Sequence, residues 1–224
     1  MTRTSGQAYP SRVPRAGGSQ PAARRRAETE PRELRARGRD TRRRLLDAGE
    51  SVLDAKGYHA TRVDDVVKLA RTSHGTFYLY FANKEDLFRA LTVEVAHEMQ
   101  QLAETLEPLH AGATGRARLQ RWIRRFVDLY REHSAVIRAW TEAEIGGSEF
   151  GRLGTDLLTQ FTSVIVGRVA EVSPPDLDPA IATLAVVAML ERLNYYALTE
   201  QVSVDPDAIA ATVARVTHAA LFGA

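Results

Sequence analysis

An all-α fold follows from three observations. Apolar residues recur at helical spacings of three and four along most of the chain after Gly38. No stretch alternates apolar and polar residues with the period of two that a strand needs. Capping residues stand ahead of the apolar runs, as Ser73, Asn83, Asp178 and Asp205 do. A chain of 224 residues, 44% hydrophobic and 26% charged, can bury a sizeable core without covalent staples. It has no Cys, which excludes disulfides, thiolate metal sites and Cys nucleophiles.

Residues 1–38 carry Pro10, Pro14, Pro21 and Pro31 with Gly17, Gly18 and Gly38, and show no periodicity. That composition predicts a disordered arm. Charge divides sharply along the chain. Residues 1–44 hold 13 Arg and carry +9, residues 45–90 carry −1 and residues 91–224 carry −6. A polyanion partner at the front end alone is the physical reading. Arg42, in the stretch from Arg35 to Arg44, is placed to add affinity by counterion release.

Leu45, Leu46, Ala48, Val52, Leu53 and Ala55 form the apolar stripe of a first helix, and Gly57 ends it. Thr61 with Asp64 reads as a capping pair before Val63, Val66, Val67 and Ala70. Ser73 opens a short helix running through Tyr80. Asn83 with Asp86 caps a fourth helix. Two short helices joined by Arg71–Ser73 have the dimensions of a helix-turn-helix.

The segment from Ser73 to Phe81 carries the chemistry. A helix that reads duplex presents its first turn to the base edges. Gly75 there lets the backbone approach, Ser73 and Thr76 offer hydroxyls to phosphates, and Tyr78 and Tyr80 can pack one ring face while pointing an OH outward. Equally, the two Tyr can be core-edge aromatics and Gly75 a packing contact.

Residues 41–91 resemble the DNA-binding domain of the tetracycline-repressor (TetR) family of bacterial transcription regulators. The resemblance rests on Ala48, Gly57-Tyr58, Thr61, Val63-Asp64-Asp65-Val66, the run Ser73-His74-Gly75-Thr76-Phe77-Tyr78-Leu79-Tyr80-Phe81, and Asn83-Lys84-Glu85-Asp86-Leu87. It implies that Thr61, Arg62 and Lys84 contact phosphates. It also implies that Ser73, Thr76, Tyr78 and Tyr80 hold the backbone and that His74 and Gly75 lie nearest the bases. One departure stands out. The family usually has Gly and then an aliphatic residue where this chain has Arg71 and Thr72. Either the turn is built differently, or Arg71 accepts backbone strain and gains a phosphate.

The domains predicted are an arm (1–38), a helix-turn-helix domain (39–91) and a helical ligand-binding and dimerisation domain (92–224). In the last, Leu119, Trp122, Ile123, Phe126 and Tyr130 share a helix face. The Asp-Pro pairs at 178–179 and 205–206 open two late helices, about 179–199 and 206–221. The resemblance implies a small-molecule pocket there, for which Phe126, Tyr130, Trp140, Phe161, Glu191, Asn194 and Tyr195 are the candidates. A further similarity, of His133–Trp140 and Met189–Leu198 to the ethionamide-resistance branch, implies an elongated apolar ligand. The two late helices suit the seam of a homodimer on a palindromic operator, with Ile209, Val213 and Val216 as seam residues.

The function expected is a ligand-responsive transcriptional regulator, foremost a repressor. The alternative is a helical ligand-binding or scaffold protein whose helix-turn-helix is degenerate. No H-E-x-x-H, P-loop or G-x-S-x-G string occurs and the six His form no helical metal pair, so no enzyme, metal or cofactor is expected. The longest apolar run, Ala180–Leu190, is too short to span a bilayer. A cytoplasmic, nucleoid-associated protein with no membrane partner is the expectation.

Overall fold

The computed structural model describes residues 21–144, 149–199 and 203–223, with side chains for 36–140, 156–199 and 203–223. The helices are α1 (Pro21–Ala60), α2 (Val63–Leu69), α3 (His74–Tyr78), α4 (Lys84–Glu104), α5 (Gly112–Glu132), α6 (Ser134–Glu144), α7 (Glu149–Ala170), α8 (Pro179–Leu198) and α9 (Pro206–Phe222). No strand occurs among the described residues. The chain divides into two compact units, Met1–Arg42 and Arg43–Ala224.

Helix in the first unit corrects the disordered-arm expectation, because α1 begins at Pro21. Residues 21–37 are rich in Ala, Arg and Glu, which favour helix. Pro21 falls at the first position, where its missing N–H is not needed. Residues 1–20 lie outside the described part.

In the second unit α1 buries Leu45, Leu46, Ala48, Val52 and Leu53, while Ala55 faces solvent. Gly57 turns the chain with φ 74°, a conformation that favours glycine. Thr61 does not cap α2 as expected. It is buried, and its hydroxyl donates to the Gly57 carbonyl at 2.7 Å. Arg62 takes the N-cap position without a side-chain bond. The caps at Ser73, Asn83 and Asp178 form as the sequence predicts. Ser73 Oγ accepts from the Thr76 N–H at 3.1 Å, and Asn83 Oδ1 accepts from the Asp86 N–H at 2.8 Å. Asp178 Oδ1 accepts from the N–H groups of Ala180 and Ile181. Asp205 precedes Pro206 but makes no side-chain cap.

Two apolar cores result. The first joins α1, α2 and α3 to the start of α4 and takes Ala135, Val136 and Ala139 from α6. The second gathers the end of α4 with α5, α7, α8 and α9. Met99 and Ile137 pack against both. Trp122 Nε1 donates to the Leu102 carbonyl at 2.9 Å, tying α5 to α4.

Two expectations for the late helices change. Ile209 and Val213 are fully inside the second core, because α9 packs along α5, and only Val216 of that trio is exposed. The apolar run Ala180–Leu190 continues to Leu198 in one helix of 20 residues, long and apolar enough by length and composition to cross a membrane. Pro179 and its Asp178 cap start it early, and Glu191 and Arg192 do not stop it. Thr183, Val187, Leu190 and Asn194 are its buried residues.

Candidate nucleic-acid interface and effector cavity

α3 is held from its inner side. Phe77 and Phe81 are buried, with ring centroids 5.6 Å apart, in the core that also holds Val66 and Val67 of α2. Fixing those two rings turns the other side outward. Ser73, His74, Gly75 and Tyr78 are exposed, Tyr78 to 56%, while Thr76 and Tyr80 are half-buried. The packing explanation for Gly75 therefore fails. A Cβ built there would meet nothing nearer than Ser73 Oγ at 3.7 Å. Residue 75 costs helix stability as glycine without relieving any contact inside the protein. The structure reaches only to Tyr78 as helix, two residues short of the expected end, because the chain tightens so that the N–H groups of Tyr80 and Phe81 both bond the Phe77 carbonyl.

Around this face the predicted cations divide. Arg62 and Arg71 are exposed. Arg71 has φ 51°, the one positive-φ residue among the described ones that is not glycine. The turn thus keeps the backbone that glycine usually supplies, with an arginine in it. Arg42 lies in the other unit. Lys84 differs from expectation. Its Nζ donates to the carbonyls of Tyr58 at 3.2 Å, Thr61 at 3.3 Å and His59 at 3.5 Å, and it lies 4.9 Å from the centre of the Tyr58 ring. The ammonium satisfies the carbonyl end of α1 instead of projecting toward a phosphate, because α4 starts directly beneath that end. Thr61 is similarly engaged, its hydroxyl by Gly57 and its carbonyl by Lys84. His74 Nε2 pairs with Asp64 Oδ1 at 2.6 Å, linking the two short helices at their exposed edge.

A cavity of about 390 Å³ opens among α4, α5, α6, α7 and α8. Of the candidate residues, Phe126, Tyr130, Trp140, Phe161 and Glu191 line it. Asn194 and Tyr195 do not. On α8 the lining ends at Arg192. One turn on, Asn194 is buried with its amide donated to the Leu190 carbonyl at 2.8 Å, and Tyr195 stacks with the Arg192 guanidinium, 5.4 Å from its ring centre. Sequence reasoning missed Met99 and Val136, which line the cavity and also meet the first core. Nothing in their local pattern separates a cavity wall from plain core. Burial, and then the Glu191 charge, push the Tyr130 phenol up, so it stays protonated.

His133, at the end of α5, was also missed as an individual. Its Nδ1 lies 3.2 Å from Glu50 Oε1 of α1 and its Nε2 lies 3.2 Å from Glu98 Oε2 of α4. Arg138 of α6 pairs with Asp54 of α1 at 2.9 Å. The α5–α6 corner is thereby fastened to the first core by charge as well as by apolar contact.

Residues 45–91 match the family described as bacterial regulatory proteins, tetR family. The chain is 27% identical over 198 residues to the HTH-type transcriptional regulator EthR of Mycolicibacterium smegmatis, covering 86% of this chain and 91% of that one. The chain is thus similar to TetR-family regulators along most of its length. A second relative is the fatty acid metabolism regulator protein of Bacillus subtilis, 30% identical over 129 residues, 57% of this chain and 65% of that one. The fold of the present chain is that of the Bacillus subtilis regulator FadR solved in complex with stearoyl-CoA. That match has a TM-score of 0.61 and 19% identity, and covers 81% of this chain and 98% of that one. DNA binding, transcription regulation and ligand binding are the family's properties, and the helix-turn-helix is α2 with α3.

Proposed function

We propose that this protein is a TetR-family repressor that binds a palindromic operator as a homodimer and leaves it when a small apolar or aromatic molecule fills the cavity. The observation that carries the reading is Gly75. It lies in an exposed first turn with empty space beside it, which is what close approach of a duplex requires. Arg62, Arg71, Ser73, Thr76, Tyr78 and Tyr80 surround it as backbone-gripping groups, with His74 and Gly75 toward the bases. Arg42 and the arm, residues 1–38, add sequence-independent affinity. Residues 39–91 act as the reading head and residues 92–224 as receptor and dimer domain.

Dimerisation is supported by large apolar side chains left in water on the late helices. Ile181 is 68% exposed, and Leu184 and Val216 are more than half exposed. Pairing α8 and α9 with a second copy would cover them. The cavity walls are apolar, with Glu191 and Arg192 at one end to orient a ligand. Ligand release of DNA is supported by α6, which lines the cavity through Val136, Ile137 and Trp140 and packs into the first core through Ala135, Val136 and Ala139. A ligand that moves α6 changes the reading head, and operator DNA must change ligand affinity by the same factor. Operating on DNA, the protein works in the cytoplasm at the nucleoid.

The test is a titration of full-length protein against random duplex and against duplex selected from a random pool. A regulator binds one palindrome at least about a thousandfold more tightly than random duplex. Gly75→Trp should abolish that preference and Tyr78→Ala should weaken binding to the palindrome, while circular dichroism stays unchanged. Equal affinity for all duplexes, or variants as tight as the parent, would overturn the proposal.

A further inference from the structure

The outward side of α3 contains a residue that phosphate gripping does not use. Leu79 is 81% exposed, more than any other large apolar side chain among the described residues. It is not a floppy loop residue. Its φ is −72° and ψ −22°, and its N–H bonds the Thr76 carbonyl at 3.3 Å. The buried rings of Phe77 and Phe81 fix the backbone on either side of it. One helical turn earlier stands Gly75, which has no side chain and only Ser73 Oγ within 4 Å of where a Cβ would lie. Tyr78 flanks it. An isobutyl group on a fixed backbone beside a bare glycine, on the surface that faces a duplex, needs an apolar partner in the groove. In the major groove that partner is the C5-methyl of thymine, since the other edge groups there are hydrogen-bonding.

We infer that Leu79 is a specificity-determining residue that reads a thymine methyl in each operator half-site. The inference rests on the DNA-binding reading above. Water is then expelled from the leucine and the methyl together, and a cytosine at that place presents no methyl to cover the side chain.

The experiment uses full-length protein and the duplex it selects from a random pool. Each thymine is replaced in turn by deoxyuridine, which keeps base pairing and the O4 acceptor and removes only the methyl. One symmetry-related pair of replacements should weaken binding by about fourfold per half-site, roughly fifteenfold for both. Leu79→Ala should weaken binding to the parent duplex by a similar factor and bind the thymine and deoxyuridine duplexes equally. Leu79→Met should retain the discrimination. If the parent protein is indifferent to every deoxyuridine, or Leu79→Ala still discriminates, Leu79 does not read a methyl, although the regulator reading stands. If no duplex is selected over random sequence, both readings fail together.

Discussion

His133 and Glu50 form an ion pair at 3.2 Å that joins the end of α5 to α1. Glu98 flanks the other ring nitrogen at the same distance. The bond to Glu50 is the main reason the imidazole pKa rises to about 9, with Glu98 adding and burial opposing. The ring is therefore charged at neutral pH, at a helix C-terminus where positive charge is favoured.

The sign of the pH effect follows. The folded pKa lies above the unfolded value of 6.5, so this contribution to stability is fully present below about 6.5 and is lost as pH rises through about 9. Urea midpoints measured from pH 6 to 10 should fall across that window. His133→Gln should lower the midpoint at pH 6 and flatten the fall. A parental slope in the variant would show that other groups cause it.

Arg71 holds a positive φ that glycine adopts freely. Arg71→Gly should stabilise the folded chain by about 1 kcal/mol, read from urea denaturation. It should at the same time weaken DNA binding at low salt and reduce the slope of log K against log salt by about 0.9 per reading head. A more stable variant with an unchanged salt slope would leave Arg71 without a phosphate.

Lys84 separates an internal from an external role. Its three carbonyl contacts predict that Lys84→Gln costs about 1.5–3 kcal/mol of stability. Operator affinity measured on the folded fraction should keep its salt slope. Unchanged stability with a slope reduced by about 0.9 per head would return Lys84 to the phosphate.

The two tryptophans report on different places. Trp140 lines the cavity, whereas Trp122 is held by the Leu102 carbonyl. Titration with dodecanoate as an apolar probe should change the emission of the parent and of Trp122→Phe. Trp140→Phe should lose most of the change. A response carried by Trp122 would place the probe elsewhere.

Local chemistry was legible without the fold. Ser73, Asn83 and Asp178 cap because their side chains reach N–H groups two or three residues away. The buried face of α5 follows from one helical period. The strained turn at Arg71 was one of two alternatives raised by the family resemblance, in which glycine usually holds that place. The candidate reading face followed from the same local logic, Gly75 above all.

Contacts between distant residues were not legible. His133 reaches Glu50 across 83 positions and Lys84 reaches Tyr58 across 26, and no local period encodes either pairing. Periodicity located the apolar face of α5 and composition marked α8 as apolar, but only packing separated cavity wall from solid core, which is why Glu191 lines the cavity while Asn194 and Tyr195 do not. The sequence determined most of the helices after Gly38, the caps at Ser73, Asn83 and Asp178, and the outward residues of α3, since these depend on neighbours within a turn or two. The tertiary structure alone decided which charges are satisfied inside the protein and which remain for a partner, because that depends on where helices from opposite ends of the chain meet.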